Sequence, residues 1–208
     1  FVGGVMIAII DSGGANIASV RFALERLGVA AELTADPAVI AGAERVILPG
    51  VGAAPAAMAQ LGSAGLVECI RGLRQPVLGI CLGMQLLFER SEEGDTPLLG
   101  LIDGTVLAFD PAGGLTVPHM GWNRLNPPDG AAGHPLLDGI EPGAHVYFVH
   151  GYAAPVSENT VAACSYGMDF TALVAHGNFM GTQFHPERSG PIGARILQNF
   201  VSLPAKGN

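Results

Sequence analysis

In the first half of the chain, short apolar runs alternate with stretches whose apolar residues recur at helical spacing. Met6 to Asp11 (MIAIID) is the first run. After the turn SGGAN, Ile17, Val20, Leu24 and Leu27 repeat at helical intervals until Gly28 stops the pattern. Val29 to Thr34 predicts a second strand, and Asp36 with Pro37 the start of a short helix. RVILPG, Arg45 to Gly50, predicts a third strand opening into the glycine-rich loop PGVG, Pro49 to Gly52. Helical patterns fill Pro55 to Leu73. Pro76 to Arg90, PVLGICLGMQLLFER, reads as a strand over Val77–Cys81 that passes into an amphipathic helix from about Leu82. Strands that are apolar on both faces and alternate with helices call for a parallel sheet covered on both sides, which places the chain in the α/β class.

The second half changes character. LGLIDGTVLAFD, VPHMGWNRL, HVYFVHGYAA, TVAACSY and FTALVAHGNFMGTQFHPE are short strand signals parted by Gly, Pro and Asn turns. A last helix is predicted over Pro191–Leu203, with Ile192, Ile196, Leu197 and Phe200 on one stripe. No repeat or linker divides the chain. A single domain over residues 6–203 is expected, with residues 1–5 an extension outside the fold.

Composition narrows the function. A chain of 208 residues is long enough to bury roughly 70% of its unfolded surface without staples. Apolar residues make up 49%, yet no uninterrupted apolar run approaches the ~20 residues that span a bilayer. The opening FVGGV lacks the basic start of a signal peptide. A soluble protein is predicted. The formal charge of −8 argues against nucleic acid or an anionic membrane as partner, because both demand clustered Lys and Arg. Three cysteines, Cys69, Cys81 and Cys164, stand far apart without CxxC spacing, as in a cytoplasmic chain that needs neither disulfides nor zinc. DSGGAN lacks the GxGxxG spacing of a dinucleotide site. No cofactor and no metal are expected.

The chemistry concentrates at Cys81. Gly79-Ile80-Cys81-Leu82-Gly83, between strand and helix, has the form of a nucleophile elbow. A thiol at a helix N-terminus also feels a positive potential that favours the thiolate. The competing reading of Cys81 is a small buried apolar side chain. A thiolate catalyst needs a base, and of six histidines His185 stands out, because GTQFHPE ends a strand pattern and carries Glu187 two residues on. Pro186 biases His185 to an extended conformation, in which residues two apart share a side. The carboxylate then orients one ring nitrogen while the other faces the thiol.

GICLGMQLLFE together with GTQFHPERSG resembles the class I, or triad-type, glutamine amidotransferases, and the resemblance extends from about Met6 to Phe200. It implies a three-layer sandwich around a mostly parallel, mixed central sheet, and hydrolysis of glutamine to glutamate and ammonia. Cys81 would be the nucleophile, His185 the general base and acid, and Glu187 the orienter of His185. The N–H groups of Leu82 and of Val51 or Gly52 would form the oxyanion hole; Val51 stands where many relatives carry a glycine. Gln85 matches the family's glutamine-binding glutamine, and the backbone of His150, Gly151 and Tyr152 would hold the substrate's α-amino and α-carboxylate groups.

Within the family, IDSGGANIASV, LPGVGAAPAAM, VPHMGWNRL and YFVHGYAA look like signatures of the glutaminase subunits of histidine biosynthesis. Their partner is a (β/α)8-barrel cyclase that uses the ammonia, in a heterodimer. Asn16, His119, Met120 and Trp122 are the expected contacts with it. Ser12 and Ala15 depart from the tyrosine and glycine usual in that loop, and Asn16 is retained. The glutaminases of anthranilate and GMP synthases are near alternatives, but they usually carry HQ after CLG and lack VPHMGWN. A DJ-1/PfpI-like cysteine hydrolase also has a cysteine elbow, but it has no HPE near the C-terminus. A binding module with a dead site would lack one of Cys81, His185 and Glu187.

Overall fold

The computed structural model describes residues 7–11, 17–112, 114–128 and 133–205. The expected extension at residues 1–5 lies outside them, as do Ser12, Ala15 and Asn16. The first half runs β1 (Ile7–Ile10), α1 (Ile17–Arg26), β2 (Ala31–Thr34), α2 (Pro37–Gly42), β3 (Arg45–Gly50), α3 (Ala54–Ser63), α4 (Leu66–Arg71), β4 (Val77–Cys81) and α5 (Leu82–Gln85). The second half adds β5 (Phe88–Ser91), β6 (Thr96–Pro97), β7 (Ile102–Ala108), β8 (His119–Arg124), β9 (His145–His150), β10 (Tyr152–Ala153), β11 (Thr160–Tyr166), β12 (Met168–His176), β13 (Phe179–Thr182) and α6 (Gly190–Ser202).

Seven strands form one sheet in the order β11-β12-β13-β4-β3-β1-β2. β2, β1, β3, β4 and β13 pair in parallel, and β12 is antiparallel to both of its neighbours. The period of two sends Ile7 and Ile9 into one core and Ala8 and Ile10 into the other. The first core takes in α1 and α6 through Val20, Leu24, Ile196 and Phe200, the second α2, α3 and α4 through Ile40, Leu61, Leu66 and Ile70. Helices therefore cover both faces of a mostly parallel, mixed sheet, the three-layer arrangement expected. A four-stranded sheet, β10-β7-β5-β6, and the ribbon β8-β9 complete the β-rich half.

One helical stretch is divided and one expectation fails, both on local grounds. The helical pattern over Pro55–Leu73 divides into α3 and α4, because Gly65 turns the chain at φ +67°. The amphipathic helix expected to reach Arg90 stops at Gln85, and Phe88–Ser91 is a strand paired with β7. Every residue from Leu82 to Phe88 is buried, so the segment has no polar face to specify a helix, and a short buried run reads the same in either conformation.

Candidate active site

The carboxyl ends of β3, β4 and β13 lie side by side at the middle of the sheet, where α/β sheets commonly bind ligands. β4 ends in Cys81, which adopts φ 54° and ψ −112°, a conformation that a non-glycine residue holds only under strain from its surroundings. The flanking glycines explain how it is held. A Cβ on Gly83 would lie 1.8 Å from the Leu48 carbonyl oxygen, and one on Gly79 would lie 2.5 Å from the Gly83 oxygen. Only hydrogens fit where strand and turn cross, so β4 bends into α5 without a gap and the thiol is thrust forward. α5 is four residues long, a single turn rather than the long helix expected to follow Cys81.

His185 follows β13 in an extended conformation (φ −95°, ψ 97°), but Pro186–Arg188 is a 3-10 turn rather than a continued strand. The turn still brings Glu187 under the ring, and His185 Nδ1 lies 2.7 Å from Glu187 Oε1. Both side chains are buried. The backbone of His185 is tied to β9: its N–H donates to the Tyr147 carbonyl and its carbonyl accepts from Ser189 Oγ, which in turn accepts from the Tyr147 N–H. Burial opposes charge on this histidine, but hydrogen bonds to Cys81 and Glu187 and the charges of both carry it up to about 10. With Nδ1 committed to Glu187, Nε2 remains for the sulfur.

Cys81, His185, Leu82, Val51, Gly52, Gln85, His150, Gly151 and Tyr152 all line one cavity of about 530 Å³. Sequence reasoning missed Ser19, Glu93, Pro118, Val149 and Arg188, which line it too. Arg188 follows the HPE motif directly, a position that was readable. Glu93 enters from the turn before β6, where its carboxylate accepts the Ala54 N–H at 2.7 Å and so holds α3 just beyond the PGVG loop. Gln85 is a buried wall residue whose Nε2 donates to the Tyr152 carbonyl (2.9 Å) and to Gln183 Oε1 (3.0 Å). Its amide oxygen is left to serve a ligand.

His119 does not present itself to a partner, which corrects the expectation for it. It is 4% exposed because strand alternation along β8 turns it inward, where its ring stacks on Tyr166 with centroids 4.0 Å apart. His119 Nδ1 lies 2.9 Å from His150 Nε2, and His150 Nδ1 lies 2.8 Å from the Tyr152 carbonyl oxygen. Burial lowers His119 to about 4 and His150 to about 3. Both rings are therefore neutral, and since a carbonyl only accepts, the direction of each bond follows: His119 donates to His150, which donates to Tyr152. Met120 and Trp122 are on the outer face of the ribbon, 67% and 57% exposed.

The family described as Glutamine amidotransferase class-I matches residues 8–203. The chain belongs to the class I glutamine amidotransferases. It is 59% identical over 197 residues to the imidazole glycerol phosphate synthase subunit HisH of Xanthomonas axonopodis pv. citri, covering 95% of this chain and 97% of that protein. The HisH subunit of Xylella fastidiosa (strain Temecula1) is 56% identical over 199 residues, covering 96% and 98%. Among solved structures, a putative GMP synthase subunit from Thermoplasma acidophilum has the same fold, with a TM-score of 0.71 at 21% identity over 97% of this chain and 94% of that one. The glutaminase domain of the Trypanosoma brucei CTPS, solved with acivicin, gives 0.64 at 15% identity over 98% of each.

Among the three free cysteines of this amidotransferase, Cys81 alone lines the cavity. Cys164 is buried, and burial pushes its thiol up to about 12; burial also raises Cys69. No described helix is long and apolar enough to cross a membrane.

Proposed function

We propose that this chain is the glutaminase subunit of an imidazole glycerol phosphate synthase, hydrolysing L-glutamine and passing the ammonia to a HisF cyclase subunit. The observation that carries the reading is a cysteine on a strained elbow facing a histidine that is oriented by a buried carboxylate 2.7 Å away, in a chain 59% identical to a HisH subunit over nearly its whole length.

The chemistry follows from the geometry. The Cys81 sulfur attacks the carboxamide carbon, the C–S bond forms, and the carbonyl π electrons move to oxygen. The N–H of Leu82 and one from Val51 or Gly52 receive that oxyanion; each such donor is worth roughly 3 to 4 kcal/mol. Collapse breaks the C–N bond as the His185 imidazolium gives its proton to the leaving nitrogen, so ammonia departs and a thioester remains. His185 then takes a proton from water, hydroxide attacks the thioester carbon, and glutamate leaves with the thiolate restored. Glu187 holds the ring and balances its positive charge throughout. The Gln85 amide oxygen and the backbone of His150, Gly151 and Tyr152 hold the amino-acid end of the substrate.

The exposed Met120 and Trp122 sit on the ribbon whose other strand leads through Val149 to the cavity. That apolar face is the docking surface for the cyclase, beside the mouth from which ammonia leaves. The cyclase would use the ammonia to make imidazole glycerol phosphate and aminoimidazole carboxamide ribonucleotide in the cytoplasm. The test is glutamate release by the chain with and without a HisF cyclase loaded with its ribonucleotide. Wild type should hydrolyse glutamine in the complex, and Cys81→Ala should abolish hydrolysis while still binding the cyclase. A glutamine-analogue alkylator should label Cys81 and spare Cys69 and Cys164. Undiminished glutamate release from Cys81→Ala would overturn the assignment.

A further inference from the structure

The register of the central sheet sets a second amide beside the sulfur. β13 and β4 run parallel with Gly181 opposite Gly79 and Thr182 opposite Ile80. The next residue, Gln183, therefore comes level with Cys81, on the side away from Gly50, which pairs with Cys81 from β3. Gln183 is fully buried, its backbone N–H donates to the Ala172 carbonyl at 2.8 Å, and its Nε2 lies 3.8 Å from Cys81 Sγ. That is hydrogen-bonding range for sulfur.

The orientation of this amide is fixed from a distance. The Tyr152 carbonyl can only accept, so Gln85 turns its nitrogen toward it, and the second hydrogen of that nitrogen goes to Gln183 Oε1. With its oxygen engaged there, Gln183 must point its NH2 group at the sulfur. His150 donates to the same Tyr152 carbonyl, so the chain of fixed donors runs back through His119 to the Asn123 amide, both on β8. Besides the His185 ring, which hydrogen-bonds to Cys81, the sulfur meets the Val149 carbonyl oxygen at 3.7 Å. A thiol can donate to that oxygen, whereas a thiolate is repelled by it. Gln183 and the Val149 carbonyl thus favour opposite protonation states of the sulfur, and the His185 imidazolium acts in the same sense as Gln183.

We propose that Gln183 is a further catalytic residue, whose side-chain amide donates a hydrogen bond to the Cys81 sulfur and favours the ionised nucleophile. The proposal rests on Cys81 being the nucleophile in the reading above. When the sulfur attacks, its lone pair becomes the C–S bond and the charge passes to the amide oxygen, so the donor to sulfur matters before attack rather than at the oxyanion. Gln183 therefore sets how much nucleophile is present at a given pH. The charged or titratable groups around the sulfur are His185, with Glu187 behind it, His150 across the cavity wall, and Glu93 and Arg188 on the lining.

The test is the pH dependence of Cys81 alkylation by iodoacetamide in the full chain, read by mass spectrometry of the Cys81 peptide. Gln183→Met keeps the volume and removes the donor. Gln183→Asn keeps an amide but withdraws it by one methylene. In each, the alkylation midpoint should move up by about one to two pH units, the size of a hydrogen bond to a charged group. Glutamine hydrolysis in the complex should fall at neutral pH and recover as pH rises. In wild type, the Gln183 side-chain amide proton resonances should titrate with the same midpoint as alkylation, a readout that requires no variant to fold. A midpoint unmoved in a folded variant, or amide resonances indifferent to ionisation of the sulfur, overturns the proposal. Loss of hydrolysis in Cys81→Ala alongside unmoved midpoints condemns the role of Gln183 alone; persistence of hydrolysis in Cys81→Ala condemns the reading beneath it.

Discussion

Glu187 illustrates how much one buried charge can decide. Its side chain is inaccessible to solvent, so its carboxylate acts on His185 with little screening. Its 2.7 Å contact fixes which ring nitrogen faces the sulfur, and its charge helps carry the imidazole up to about 10. Glu187→Gln keeps the shape and a hydrogen-bonding atom but removes the charge, whereas His185→Ala removes the proton carrier itself. Both variants should lose glutaminase activity in the complex, and Glu187→Gln should lose roughly 100-fold less than His185→Ala, as in triads where the orienter costs less than the base. Glutamate release under saturating glutamine checks the ranking. Equal activity in His185→Ala and wild type would hand the role of base to another histidine.

Among elements, the loop from Pro49 to Gly52 has the most freedom to change. Gly50, at its start, is locked, since a Cβ there would lie 2.7 Å from the Gly83 nitrogen. Val51 next to it is 38% exposed, and Gly52 sits at φ +98° with open space around it. Peptide planes can turn there, and Val51 restricts them where a glycine would not. If the resting loop directs its N–H away from the cavity, docking of the cyclase would turn it inward and complete the oxyanion hole. Val51→Gly should then raise the basal rate of the isolated subunit several-fold, short of the roughly 100- to 1,000-fold that a complete donor is worth. Steady-state hydrolysis without the cyclase measures this, and an isolated wild-type subunit already turning over at the rate of the complex would remove the idea.

The same scale shows what could be read from the sequence. The βα alternation is legible because β1, β3 and β4 are buried on both faces while α1, α3 and α4 keep exposed residues. The elbow was legible because glycines either side of a cysteine have few other uses. The end of α5 was not, because Leu82 to Phe88 is buried on every side and periodicity vanishes where no face meets water. The inward turn of His119 is not legible, because VPHMGWN gives no sign of which residues alternate inward. Gln183 was passed over because its proximity to Cys81 comes from pairing of β13 with β4, a contact between segments far apart in the chain.

The whole molecule is held between two kinds of histidine with opposite pH behaviour. His185 is raised to about 10, so the stability it contributes is fully present below its unfolded pKa of about 6.5 and is lost as pH rises from there toward 10. His119 and His150 are lowered to about 4 and about 3. The unfolded chain takes up protons at both below about pH 6.5, while the folded chain refuses them until far lower pH. The stability tied to these two is present above about 6.5 and drains away as pH falls toward 4 and 3, by up to about 1.4 kcal/mol per pH unit for each. Between pH 6.5 and 5 His185 gains only about 0.4 kcal/mol, as the half-protonated unfolded ring fills, and most carboxylates remain ionised, so the loss in this window belongs to buried neutral histidines. Urea unfolding at pH 6.5, 5.75 and 5.0 should show wild type losing stability across it. His119→Phe can keep the stacking on Tyr166 and Phe148 while removing one titrating ring. It should lose stability less steeply as pH falls, whatever its stability at pH 6.5. Identical slopes for the two proteins would mean that the His119–His150 pair accepts a proton in the folded state, and that the chain of neutral donors leading to Tyr152 and Gln85 is not fixed as the geometry requires.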